Sequence, residues 1–163
     1  MKKSFIFLAL VLSLFYSCND REMLETPDFN STLVIDSKNW NIDYLGEEWE
    51  FKHIILNKDF DGVPVATLVR KRESINNERA ILYIHGYSDY FYQTSLADSM
   101  ERGGFRFYAL DLRRYGRSKI PGQVWYDSRD ITDYFEEIDK SIAELKKDYP
   151  NAAITIMAHS TGG

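Results

Sequence analysis

Three short stretches carry residues suited to nucleophilic chemistry, and each interrupts an apolar run. The last of them is Ala158-His159-Ser160-Thr161-Gly162, which follows the β-rich run Ala152–Met157. A serine hydroxyl is a weak nucleophile at neutral pH. It needs a base to take its proton and donors to hold the oxyanion that its attack creates. A strand that stops at a serine flanked by small residues is the pattern of a nucleophile elbow, a strained turn that pushes the hydroxyl out of the backbone. Ala158 and Gly162, two residues either side, leave room for that turn, with Ala158 standing where the G-x-S-x-G pattern has glycine. The other two stretches are His85-Gly86-Tyr87, after Ala80–Ile84, and Asp111–Ser118, after Phe105–Leu110.

The elements that position these stretches are legible from periodicity. Trp49–Leu56 and Pro64–Arg70 read as two strands joined by turn chemistry ending in Asp61-Gly62, so the domain opens with an antiparallel hairpin. Ala80–Ile84 is a continuous apolar run, as in a strand buried on both faces. The sequence predicts a helix over Tyr90–Arg102, stopped by Gly103-Gly104, and then a strand over Phe105–Leu110. Ile131, Tyr134, Phe135, Ile138, Ile142 and Leu145 form the stripe of a second helix, ended by Pro150-Asn151. Strand and helix alternating after a hairpin predict an α/β fold with a mostly parallel sheet, whose sites gather at the carboxyl ends of the strands. All three stretches fall at such ends.

Taken in order, these motifs resemble the α/β-hydrolase superfamily, and within it the serine aminopeptidase, monoacylglycerol lipase and lysophospholipase group. The resemblance covers Trp49–Gly163, the amino-terminal half of that fold up to the nucleophile elbow. It implies a serine hydrolase of carboxylic esters acting through an acyl-enzyme, with Ser160 as nucleophile and the backbone N–H groups of Tyr87 and Thr161 as oxyanion donors. It also implies that His85 braces the oxyanion loop, where Gly86 lets the main chain approach the substrate. Asp111 and Arg113 are expected to tie down the loop that matches D-x-R-G-x-G-x-S, in which Arg114 replaces the first glycine; Arg114 must tolerate that backbone or change it. The implied substrate is a small hydrophobic ester, with a short peptide as the aminopeptidase alternative. In the resembled group the acid and histidine of the triad follow the serine, and none of His53, His85 and His159 is placed to act as the base. The 163 residues are therefore expected to be an inactive fragment of a longer parent. A non-catalytic envelope lipoprotein is the rival from another class.

The rest of the sequence narrows the setting. A net charge of −5 argues against a nucleic-acid partner. No metal-ligand spacing and no phosphate-binding glycine loop is present, so neither a metal nor another cofactor is indicated. Lys2-Lys3 followed by an apolar run from Phe5 to Tyr16 reads as a signal peptide over residues 1–17. Cys18, the single cysteine, resembles the lipid-acceptor residue of bacterial lipoproteins, with Ser17 fitting that pattern and Phe15 departing from it. The expectation is a lipid-anchored protein of the bacterial cell envelope, with a secreted or periplasmic protein as the alternative. Residues 18–40 are then a tether and 41–163 a partial hydrolase domain.

Overall fold

The computed structural model describes residues 35–163; the expected signal peptide, Cys18 and most of the tether lie outside them. Six strands form one sheet in the order β1-β2-β3-β5-β4-β6, with β1 at Asn41–Asp43, β2 at Gly46–Ile55, β3 at Val65–Lys71, β4 at Arg79–Ile84, β5 at Arg106–Asp111 and β6 at Ala153–Ala158. The first three run as an antiparallel meander, β3 meets β5 antiparallel, and β4 pairs in parallel with both β5 and β6. The α/β class is as expected, with β1 as a short addition outside the predicted hairpin, but the sheet is mixed rather than mostly parallel: three of its five pairings are antiparallel, because the opening meander joins the parallel part through β3.

Parallel strands need crossovers, and these supply the helices α1 (Thr94–Arg102) and α2 (Asp133–Asp148). The alternation of side chains along the central strands explains both layers. Leu82 and Ile84 of β4 join Tyr108 and Leu110 of β5 on one face, against Tyr134, Ile138, Ile142 and Leu145. Ile81 and Tyr83 join Phe107 and Ala109 on the other, against Leu96, Ala97 and Met100. Burying both faces of β4 and β5 is what their uninterrupted apolar runs encode.

Two further expectations are corrected. The first helix starts at Thr94 rather than Tyr90, because the residues before it are held as a loop by other bonds: the Phe91 N–H donates to Asp111 Oδ1 at 2.9 Å. Of the predicted stripe, Tyr134, Ile138, Ile142 and Leu145 do pack on the sheet, but Ile131, which precedes α2, and Phe135 are exposed, and Glu137 and Ser141 are buried in their stead. Glu137 can be buried because the Arg113 guanidinium and backbone N–H both donate to its carboxylate. Among the described residues no helix is long and apolar enough to cross a membrane.

Candidate active site

The parallel register determines which loops meet. Ile84 lies opposite both Leu110 and Ala158, so the chain leaves β4, β5 and β6 at one rim. His159 N–H donates to the Ile84 carbonyl at 3.0 Å, and Leu112 N–H donates to His85 Nε2 at 3.1 Å. Because Nε2 accepts, the ring proton sits on Nδ1 and is directed to the Gly86 carbonyl, 2.7 Å away. His85 is thus a brace between the β4 and β5 exits, buried to 1% exposure, and is not free to take a proton from a substrate.

Ser160 follows β6 with φ of +54°, in the left-handed region that costs a residue with a side chain about 1–2 kcal/mol. Two glycines make the conformation fit. A methyl group on Gly162 would run into the carbonyl oxygens of His85 and Ile84. One on Gly86 would lie 3.1 Å from Ser160 Cβ and 3.2 Å from the His159 carbonyl. The His85-Gly86 backbone therefore packs directly against the serine turn. Ala158, at the other side of the serine, closes β6 in register with Ile84. The N–H groups of Tyr87 and Thr161 carry no internal hydrogen bond among the described residues. Both residues line the same depression of 210 Å³, walled by the rings of Tyr115, Tyr126 and Tyr134.

His159 is exposed and its Nδ1 lies 3.8 Å from Asp89, while His53 Nδ1 sits 2.9 Å from Thr67 Oγ1. Neither ring is bonded to the Ser160 hydroxyl. Asp111 is fully buried and fully engaged: Oδ1 accepts the Phe91 N–H, and Oδ2 accepts the Arg117 N–H and guanidinium at 3.0 and 2.8 Å. It shapes the rim and does not reach the serine. Arg113 does likewise from below, paired with Glu137 and donating to the Asp133 carbonyl at 3.0 Å.

Arg114 adopts the glycine-like backbone, with φ of +65°, and is wholly buried. Its guanidinium compensates by donating to both oxygens of Asp59 at 2.8 Å and to the Asp127 carbonyl at 3.0 Å. The Arg114 carbonyl in turn accepts the Tyr126 N–H at 3.3 Å, which holds the central ring of the depression.

Sequence reasoning missed the residue that gathers the rim, Arg117. It grips Asp43 with two bonds of 2.5 and 2.9 Å and donates to Asp111 and to the Phe91 carbonyl through Nη1. Its partner stands 74 residues away, and no local signal marks Asp43.

Burial pushes the pKa of His85 down, only partly opposed by its bond to Gly86, and does the same to His53. The neutral form is favoured in the fold. Stability linked to these groups is therefore complete above their unfolded value of about 6.5 and is lost as pH falls through the lowered folded values. Urea denaturation at pH 8 and pH 5 should show this loss, and His85→Gln should show a smaller one. An equal loss in that variant would assign the effect elsewhere.

With the geometry in place, comparison with known proteins is informative. Residues 75–163 match the family model described as serine aminopeptidase, S33. The chain belongs to that family. No curated protein matches it. Among solved structures, this family member is similar to a highly thermostable carboxyl esterase from Bacillus coagulans in complex with glycerol (17% identity, TM-score 0.55), over 69% of the chain and 37% of the esterase. It is also similar to a cold-adapted esterase from an Arctic intertidal metagenomic library (13% identity, TM-score 0.52), over 80% of the chain and 57% of that protein. At such identities the likeness is one of fold, and the chain spans between about a third and somewhat over half of these neighbours.

Proposed function

We propose that the protein of which these residues are part is a serine hydrolase of carboxylic esters, of the lysophospholipase or monoacylglycerol lipase kind. The observation that carries this reading is Ser160 in a left-handed turn, wedged against Gly86 and Gly162 where no side chain fits. Nothing in packing alone calls for a strained serine at a strand end, and strain held by surrounding structure gathers at functional sites. In this reading the Ser160 hydroxyl attacks the ester carbonyl, and the Tyr87 and Thr161 N–H groups receive the oxyanion. The alcohol leaves, and water then releases the acid from the acyl-serine. The 210 Å³ aromatic depression suits a compact apolar acyl group. The family description favours a second reading, cleavage of short peptides at the amino end. Fluorophosphonate labelling mapped to Ser160 tests the hydrolase reading, and aryl esters assayed beside aminoacyl anilides separate the two substrates.

We also infer that Cys18 carries a lipid anchor at the bacterial envelope, supported by the apolar run Phe5–Tyr16 and by Ser17 before the cysteine. In fractionated cells Cys18→Ala should move the protein from membranes to the soluble pool. An unchanged distribution would discard the anchor.

A further inference from the structure

Among the described residues, Tyr126 alone lines both the 210 Å³ depression beside Ser160 and a neighbouring depression of 510 Å³. Its ring packs on Tyr115, with centroids 4.9 Å apart, and on Tyr87, with centroids 5.7 Å apart. Tyr115 is buried against His85, whereas Tyr87 stands open to solvent. The row of rings therefore runs from the floor of the site to its mouth, and Tyr126 is the partition between the two depressions.

That partition does not hold itself in place. Tyr126 has φ of +60°, a conformation that a residue with a side chain keeps only where its surroundings impose it. Arg114 supplies the constraint from both sides of the ring. Its carbonyl accepts the Tyr126 N–H at 3.3 Å, and its Nη1 donates to the carbonyl of Asp127, the next residue, at 3.0 Å. The guanidinium is fixed in turn by both oxygens of Asp59 at 2.8 Å and by the Phe60 ring, 4.7 Å from Cζ to the centroid. A glycine, which the resembled loop pattern has at this position, would suit the φ of +65° and keep the carbonyl bond. It could not make the bond to Asp127. The arginine side chain thus adds a second tether, which links the turn between β2 and β3 to the wall of the site.

We infer that Arg114 is a positioning residue for acyl specificity: by holding Tyr126 as a partition, it confines the acyl group of the substrate to the 210 Å³ depression and selects short chains. The inference rests on the hydrolase reading above and narrows it. A depression of 210 Å³ falls below the roughly 300 Å³ at which pockets for drug-sized ligands begin, whereas a displaced Tyr126 would let a longer chain continue into the neighbouring space.

The test compares 4-nitrophenyl butanoate with 4-nitrophenyl decanoate, using the protein expressed from its native gene. The parent should favour butanoate in kcat/KM by at least about tenfold. In Arg114→Gly that ratio should fall by at least about tenfold, through a lower KM for decanoate. Tyr126→Gly, which removes the partition itself, should shift the ratio as far. Both glycines fit the left-handed backbone, and Asp59 keeps the Arg113 guanidinium at 3.3 Å when Arg114 is gone. If Arg114→Gly is too unstable to assay, Asp59→Asn, which loosens the anchor of the arginine, should lower the ratio by about threefold. In the same preparations chymotrypsin should cut after Tyr126 at least about fivefold faster in Arg114→Gly than in the parent, because the tethered turn opens more often. A parent that prefers decanoate, a parallel loss on both esters, a ratio unmoved in Tyr126→Gly or in the arginine-site variant, or unchanged cleavage would each overturn the inference and leave the hydrolase reading standing. Hydrolysis of neither ester by the parent, with no labelling of Ser160, would instead remove the hydrolase reading and the acyl selection with it.

Discussion

Ser160→Ala should abolish fluorophosphonate labelling of the protein expressed from its native gene and lower ester turnover by about 10⁴-fold or more, since little but binding and the oxyanion donors remains without the nucleophile. The informative companion is Ser160→Gly. It should be as inactive as the alanine variant, yet at least as stable as the parent by urea denaturation, with a gain of about 0.5–1 kcal/mol. The reason is the φ of +54° at this position, which glycine adopts without the Cβ clash, although glycine loses more chain entropy on folding. Activity and stability moving in opposite directions is the signature of strain kept for function. If Ser160→Gly is clearly destabilising, the turn is not strained in this sense; if Ser160→Ala retains labelling, Ser160 is not the nucleophile. The 163-residue chain assayed by itself should label at least about 10³-fold more slowly, because no histidine among the described residues bonds to the serine hydroxyl.

Arg117→Met should cost about 3–5 kcal/mol, the second large effect. Its side chain is 5% exposed and both of its carboxylate partners, Asp43 and Asp111, are wholly buried. Removing the guanidinium leaves two anions in a poorly solvating interior and also strips a donor from the Phe91 carbonyl. Against a typical total of about 5–15 kcal/mol, that is enough to unfold a large fraction of the chain. Asp43→Asn combined with Arg117→Met should be less damaging than Arg117→Met alone, because one of the stranded charges is gone. Arg117→Lys should fall between, keeping the charge while losing the planar fork that spans Asp43. A loss below about 1 kcal/mol for Arg117→Met, read from urea midpoints at constant slope, would show that the rim does not depend on this clamp.

The two variants bear on different levels of the same site. Ser160 is strained by its own turn, a local matter of backbone angles and neighbouring glycines. Arg117 acts at a distance, drawing β1, the loop before α1 and the exit of β5 onto one cation. Arg114 belongs with the second kind: the sequence marks it as a departure from a glycine position, and the fold absorbs it through Asp59, on the turn between β2 and β3.

What the sequence alone determined is what repeats or sits close along the chain. Period-two and uninterrupted apolar runs specify strands and which of them are buried on both faces. The order of His85-Gly86, Asp111–Ser118 and Ala158–Gly162 identifies the family, because each motif is short and is read without knowing its neighbours. The exposed ring of Phe135 and the buried carboxylate of Glu137 mark the limit of that reading. Apolar periodicity assigns a helix face by hydrophobicity, and it cannot foresee a charge that is buried because Arg113, 24 residues away, compensates it. The tertiary structure alone decided the pairings of Arg117 with Asp43 and of Arg114 with Asp59, and the meeting of Gly86 with Ser160. Such contacts join residues far apart in sequence, and only strand register brings them within hydrogen-bonding or van der Waals reach.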